Sequence, residues 1–231
     1  MATKKTQVDP EQQIEQALTK TELFFEKNGK KLLIVLIVIA LGVGGVFGYD
    51  AFIAEPKSEK AAAEMFEAQN LFAQDSFATA LNGVNGVVLG FDAIISEYSG
   101  TAEANLAQHY AGICQMKQGK FNEAIAYFNN YKTTGGGAGE IIDAQNFGLV
   151  GDCYIELGDN AKGVDSYKKA IAQSSSNATA PLYAHKAAIA LYSEGKYAEA
   201  LEMFQTIKGQ YPRSTQARDA DKFIALVMQK M

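Results

Sequence analysis

The chain's polar and apolar positions follow two regimes. From Leu32 to Tyr49 the sequence runs LLIVLIVIALGVGGVFGY, and no charge occurs until Asp50. At about 1.5 Å per helical residue, a helix from Leu32 to Ile53 reaches roughly 30 Å, the thickness of a bilayer's hydrocarbon core. The pattern predicts a transmembrane helix over residues 32–53. Beyond it, apolar residues recur at helical spacing and are punctuated by glycines at regular intervals, which predicts a series of helical hairpins.

Three stretches repeat that pattern: AGICQMKQGKFNEAIAYF (111–128), VGDCYIELGDNAKGVDSY (150–167) and AAIALYSEGKYAEALEMF (187–204). Each has an apolar helix and a turn glycine (Gly119, Gly158, Gly195). A second helix follows, with a small residue five positions on (Ala124, Gly163, Ala200) and an aromatic four beyond that (Phe128, Tyr167, Phe204). Glycine ends the first helix in a left-handed conformation, the small residue admits a close helix approach, and the aromatic fills the space between hairpins. One hairpin cannot cover its own apolar faces, so several must stack. The segments resemble tetratricopeptide (TPR) repeats. The third copy departs from the pattern, with Asn160 in place of an aromatic and Gly163 inside a helix, which costs up to ~1 kcal/mol relative to alanine. A degenerate first copy is predicted over residues 61–81, with Asp75 in place of the turn glycine. The expectation is an all-α fold: about four TPR-type hairpins and a capping helix in which Ser214 is the N-cap and Ala217, Ala220, Ile224 and Val227 line the inner face. The extra residues at 82–90, 133–139 and 173–180 are expected to form loops.

Six lysines (Lys4, Lys5, Lys20, Lys27, Lys30, Lys31) precede the apolar run, and only Lys57 and Lys60 closely follow it. By the positive-inside rule the N-terminal segment, residues 1–31, is cytoplasmic and the domain at 54–231 lies outside. A cleaved secretory signal is disfavoured, because the run and its leader are both longer than a signal requires. Within the span Ala40, Gly44 and Gly48 form a small-x-x-x-small face suited to packing against another membrane helix.

Residues 50–231 carry fifteen Lys and Arg against twenty-one Asp and Glu, which argues against a nucleic-acid surface. Cys114 and Cys153 take the same place in successive repeats and are expected to be buried thiols held too far apart for a disulfide. The glycines at 135–137 and 139 lack the lysine and hydroxyl of a phosphate loop and read as an inter-repeat loop. Asn177-Ala178-Thr179 fits a glycosylation triplet and is assigned no role. No catalytic constellation, metal-ligand spacing or cofactor motif emerges, so the expectation is a non-enzymatic protein without small-molecule substrate, cofactor or metal.

The TPR resemblance implies a concave groove lined by the first helices. Its positions map to Leu106, His109, Ile113, Met116 and Lys117 in the second repeat. In the third they map to Gln145, Gly148, Asp152, Ile155 and Glu156, and in the fourth to Leu182, His185, Ile189, Tyr192 and Ser193. The lysine and asparagine set that clamps a C-terminal carboxylate in chaperone-binding TPR proteins is absent. The approach to the membrane, ELFFEKNGKK, presents Phe24, Phe25, Asn28, Gly29 and Lys30 as FF-x-x-NGK. With the single span and repeat array, this is similar to the ancillary subunit family of the bacterial SecYEG translocon. The resemblance implies an inner-membrane protein with a periplasmic TPR domain. Its implied partners are Sec translocon membrane subunits, secretory client chains and a membrane-anchored periplasmic prolyl isomerase or chaperone. The insertion at 83–90 and the glycine loop depart from that family. The alternative is a TPR scaffold for cell-wall or outer-membrane assembly; a third reading is an accessory to an enzyme or transporter.

Overall fold

The computed structural model describes residues 10–174 and 179–231, with side chains from Glu22 onward. Lys4, Lys5, Asn177, Ala178 and the side chain of Lys20 therefore lie outside the described residues. The chain divides into two compact units, residues 1–56 and 57–231.

In the first unit, helix α1 (Pro10–Tyr49) continues into a π-helical turn, Asp50–Ala54, closed by the Glu55 amide donating to the Asp50 carbonyl. Among the described residues this is the one helical segment long and apolar enough to cross a membrane. Its large apolar side chains from Leu33 to Phe47 are exposed, and a Cβ built on Gly44 or Gly48 would touch nothing within 4 Å.

Among its described residues, the second unit is built from helices joined by short loops. Helices α2 (Glu55–Ala73), α3 (Phe77–Asn82) and α4 (Phe91–Glu97) form the first hairpin; α5 (Ala102–Lys117) and α6 (Phe121–Asn130) form the second. Helices α7 (Gly137–Glu156) and α8 (Asn160–Gln173) form the third, α9 (Thr179–Ser193) and α10 (Tyr197–Gln210) the fourth, and α11 (Thr215–Met228) closes the series.

Four turns share one hydrogen-bond scheme. The left-handed residues Asp75, Gly119, Gly158 and Gly195 (φ +58, +73, +78 and +74) donate their amides to the carbonyls of Phe72, Met116, Ile155 and Tyr192, three residues back. The next amides, of Ser76, Lys120, Asp159 and Lys196, reach five residues back, to Leu71, Gln115, Tyr154 and Leu191. This pairing satisfies the last carbonyls of each first helix and fixes where the second departs. Asp75 takes the glycine's place as the sequence predicts, since a short polar side chain tolerates the left-handed region better than most.

The small and aromatic positions behave as expected. Ala124, Gly163 and Ala200 are buried, and so are Phe128, Tyr167 and Phe204. A Cβ on Gly112 would come within 2.5 Å of the Phe128 ring, and one on Gly151 within 2.6 Å of the Tyr167 ring. In the third hairpin Gly151 and Gly163 face each other: a Cβ on either would meet the other's carbonyl at 3.1 to 3.4 Å. The unusual glycine inside α8 thus admits a closer helix crossing. Ser214 caps α11 by accepting from the Ala217 amide at 3.1 Å. Ala220 and Val227 are buried, and Ala217 and Ile224 pack against the same core, while Arg218, Lys222 and Gln229 are on the outer side.

The insertion after residue 82 does not join two hairpins but splits the second helix of the first one into α3 and α4. Val84 and Val88 form an antiparallel bridge, each amide donating to the other's carbonyl at 2.9 and 3.1 Å. The neck is pinched between Gly83 and Gly90: a Cβ on Gly83 would lie 2.5 Å from the Val88 carbonyl oxygen. Helix α3 can therefore stop and α4 restart on the same core, with Ala80, Leu81, Phe91 and Ile94 in one cluster.

The glycine loop before α7 is anchored. Asp143, fully buried, accepts from the Tyr131 hydroxyl at 2.7 Å and from the amides of Thr134 (3.1 Å) and Gly135 (2.9 Å). Gly135, Gly136 and Gly137 all have positive φ, a conformation that glycine adopts without a steric cost. Upstream, Asn105 exchanges two hydrogen bonds of 2.7 Å with the backbone of Lys132. Burial, and then the bond to Asp143, push the Tyr131 phenol up to about 12.

Candidate functional site

The expected groove positions lie on α5, α7 and α9, but their side chains divide into three groups. On α9, Leu182 and Ile189 are 38% and 39% exposed, seven residues apart on one face. Tyr192 is half-buried beside the Tyr197 ring, 5.5 Å between centroids. On α5, Ile113 and Met116 are half-buried against the cluster of Ala124, Phe128 and Val150, and Leu106 packs against the core of the first hairpin.

The two histidines are not surface groups of that face. His109 is 4% exposed, and its Nδ1 lies 3.0 Å from Asn146 Oδ1 on α7. Asn146 Nδ2 donates to the Phe128 carbonyl at 2.8 Å, which orients the amide so that His109 Nδ1 is the protonated nitrogen. His185 is half-buried, its ring edge-on to Phe204 and Phe223 at 5.7 and 4.8 Å. Burial lowers both imidazoles below their ordinary pKa, opposed at His109 by the Asn146 bond and at His185 by Asp219. The groove assignment of His109 is corrected on this geometry: its ring joins one hairpin to the next. His185 is drawn the same way and keeps only partial access.

Residues of the second, third and fourth hairpins line an open cavity of about 460 Å³: Met116, Phe121, Asp152, Ile155, Glu156, Tyr167 and Lys186. Asp152 Oδ1 accepts from the Tyr167 hydroxyl at 2.7 Å, and its two oxygens take the Lys186 ammonium at 2.7 and 2.8 Å. That ammonium also lies over the Tyr167 and Tyr183 rings, 5.9 and 5.8 Å from their centroids. Burial and the bond to Asp152 push the Tyr167 phenol strongly upward, so it stays a donor. Asp152, Ile155, Glu156 and Met116 were expected to share a face, and here they line one cavity. Lys186 and Phe121 were missed because neither falls on a family groove position, and Tyr167 had been given only its packing role. The available signal was that Asp152 and Lys186 are opposite charges on the first helices of adjacent hairpins.

Both cysteines are buried free thiols, Cys114 in the first hairpin's cluster and Cys153 in the next. Burial pushes each up to about 12, aided by Asp92 at Cys114 and by Asp152 and Glu156 at Cys153.

Two tetratricopeptide-repeat family models match the chain, one over residues 106–133 and 185–214 and the other over 144–177. These stretches lie across α5–α6, α9–α10 and α7–α8. Among solved structures, the chain is similar to a single-substitution variant of a putative kinesin light chain from Podosopora anserina with nearly identical TPR-like repeats. The TM-score is 0.53 at 12% identity, over 75% of this chain and 87% of that one. The repeat unit is a TPR-like solenoid. No curated protein sequence gives a significant match. A TPR-like array is typically a non-catalytic scaffold for protein interaction, and the first helix α9 of this one exposes Leu182 and Ile189.

Proposed function

We propose that this protein is a single-pass inner-membrane subunit, with a cytoplasmic segment at 1–31, a span at 32–53 and a periplasmic TPR domain at 54–231. It associates with the Sec translocon and passes emerging secretory chains to periplasmic chaperones, among them a membrane-anchored prolyl isomerase. The observation that carries the reading is the exposed apolar surface of α9, Leu182 and Ile189, together with the cavity beside Met116 and Ile155. Such a surface binds extended segments by apolar contact, each fully buried side chain contributing about 1.5 to 3 kcal/mol. The lysine cluster before Leu32 and the FF-x-x-NGK approach support the placement. The Ala40, Gly44 and Gly48 face supports a helix partner in the membrane.

Site-specific photocrosslinking from Met116, Leu182 and Ile189 to a stalled secretory chain tests the binding face, with exposed Lys168 on α8 as control. Groove positions that crosslink no better than Lys168 would overturn the reading. Protease added to spheroplasts should digest the repeat unit without lysis. Gly44→Leu should reduce co-purification of translocon subunits while leaving insertion intact; recovery of envelope synthases in their place would favour the scaffold alternative.

A further inference from the structure

The cavity between α5 and α9 carries a charge asymmetry that specifies what enters it. Its apolar lining is Met116, Phe121 and Ile155, joined by Tyr167. Its charged lining consists of Asp152, Glu156 and Lys186. Asp152 and Lys186 neutralise each other through two contacts of 2.7 and 2.8 Å, and Lys186 is further occupied by two tyrosine rings. Glu156 is exposed and, among the described residues, makes no hydrogen bond or ion pair. The surplus charge at the mouth is therefore one carboxylate. It sits on the last residue of α7, where the helix's carbonyl end adds negative potential of its own. A volume of about 460 Å³ lies within the range of small-ligand clefts and leaves room for one long side chain of a bound segment.

An acidic side chain would be repelled there, and a purely apolar one would strip water from Glu156 without replacing it. A long side chain with an aliphatic stem and a cationic tip meets both demands. We infer that this cavity receives an arginine or lysine of the bound segment, its stem on Met116 and Ile155 and its cation at Glu156. The inference rests on the proposed binding face and gives it a chemical preference: extended segments in which a basic residue stands among apolar ones.

The test uses the full-length protein in lipid nanodiscs and two degenerate peptide pools. Each pool has seven residues, with Ala, Leu, Val or Ser at six positions and either arginine or its neutral isostere citrulline at the centre. Wild type should retain the arginine pool about 1.5-fold to fivefold over the citrulline pool, the range of an exposed ion pair. Glu156→Gln should remove that preference while leaving citrulline retention and the helical spectrum unchanged. Glu156→Lys should prefer a third pool with central glutamate. Equal retention of arginine and citrulline, both above an Ile189→Glu control, would overturn this inference and leave the apolar reading standing. Retention of neither pool above that control would overturn both, and an arginine preference that survives Glu156→Gln would place the cation elsewhere and overturn the assignment.

Discussion

His109, Gly148 and His185 each stand ten residues before their turn glycine, yet they join consecutive hairpins in three different ways. At the first joint a buried imidazole bonds Asn146. At the second there is no side chain at all, because a Cβ on Gly148 would overlap the Tyr183 ring. Asn146 and Tyr183 themselves stand twelve residues before their own turn glycines, so one pair of repeat positions meets at both joints. A medium residue faces a medium one at the first joint, and the smallest faces a large aromatic at the second. At the third, His185 meets Phe223 of the closing helix edge-on. The position fixes which way a side chain points; the volume across from it decides what that side chain can be.

The comparison can be broken most severely at Gly148. Gly148→His makes the second joint resemble the first in one partner only, and overpacking should destabilise the chain by about 3 kcal/mol. Adding Tyr183→Asn should recover a large part of this loss, short of wild type because Tyr183 also stacks on Tyr167 and lies under Lys186. Thermal unfolding followed by circular dichroism, in detergent, would show the double variant melting above the single one. If both melt together, volume exchange across the joint is the wrong account.

At the first joint, His109→Leu keeps the bulk but strands the buried Asn146 Oδ1, and the expected loss is about 1 to 3 kcal/mol. Replacing both partners, His109→Leu with Asn146→Leu, should cost less than the two single changes added together, since no donor or acceptor of that pair is then orphaned. Additive losses in that double-mutant cycle would mean the hydrogen bond does not couple the hairpins. His185→Leu should cost less than about 1.5 kcal/mol, because the site is half open and its contacts are with aromatic edges.

The smallest effect is on pH dependence. Burial holds both imidazoles below their ordinary pKa of 6.5, so the unfolded chain binds more protons than the folded one between the lowered values and 6.5. Stability from this source is complete above about 6.5 and falls as acidification passes through that window. His109→Leu should flatten the slope more than His185→Leu, since His109 is the more deeply buried. Melting temperatures recorded from about pH 7.5 to 5 would reverse that ranking if the half-exposed ring were the one that matters.

The features legible in the sequence share a local cause. Gly119, Gly158, Gly195 and even Asp75 are set by a backbone conformation that few residues accept, and Ser214 by amides that need an acceptor, so each can be read within a few residues. The buried small and aromatic positions follow from the spacing of one hairpin. His109 was misplaced because its environment depends on the crossing of the next helix, and a family position cannot report whether Asn or Tyr waits there. Lys186 escaped for the same reason, its partner Asp152 being supplied by another hairpin. The insertion at 83–90 was seen as extra length, but that it interrupts a helix depends on two glycines touching across its neck.

The glycine loop before α7 already holds its anion. Its amides converge on Asp143, a carboxylate tethered within the same chain and therefore present at an effective concentration that a free solute at micromolar levels does not match. The converging donors of this loop are in this way satisfied from within. Asp143→Ala would leave the Thr134 and Gly135 amides and the Tyr131 hydroxyl without that acceptor and so loosen the loop from α7. The carboxylate thus serves as an internal tether, holding the start of a glycine-rich stretch to the helix that follows it.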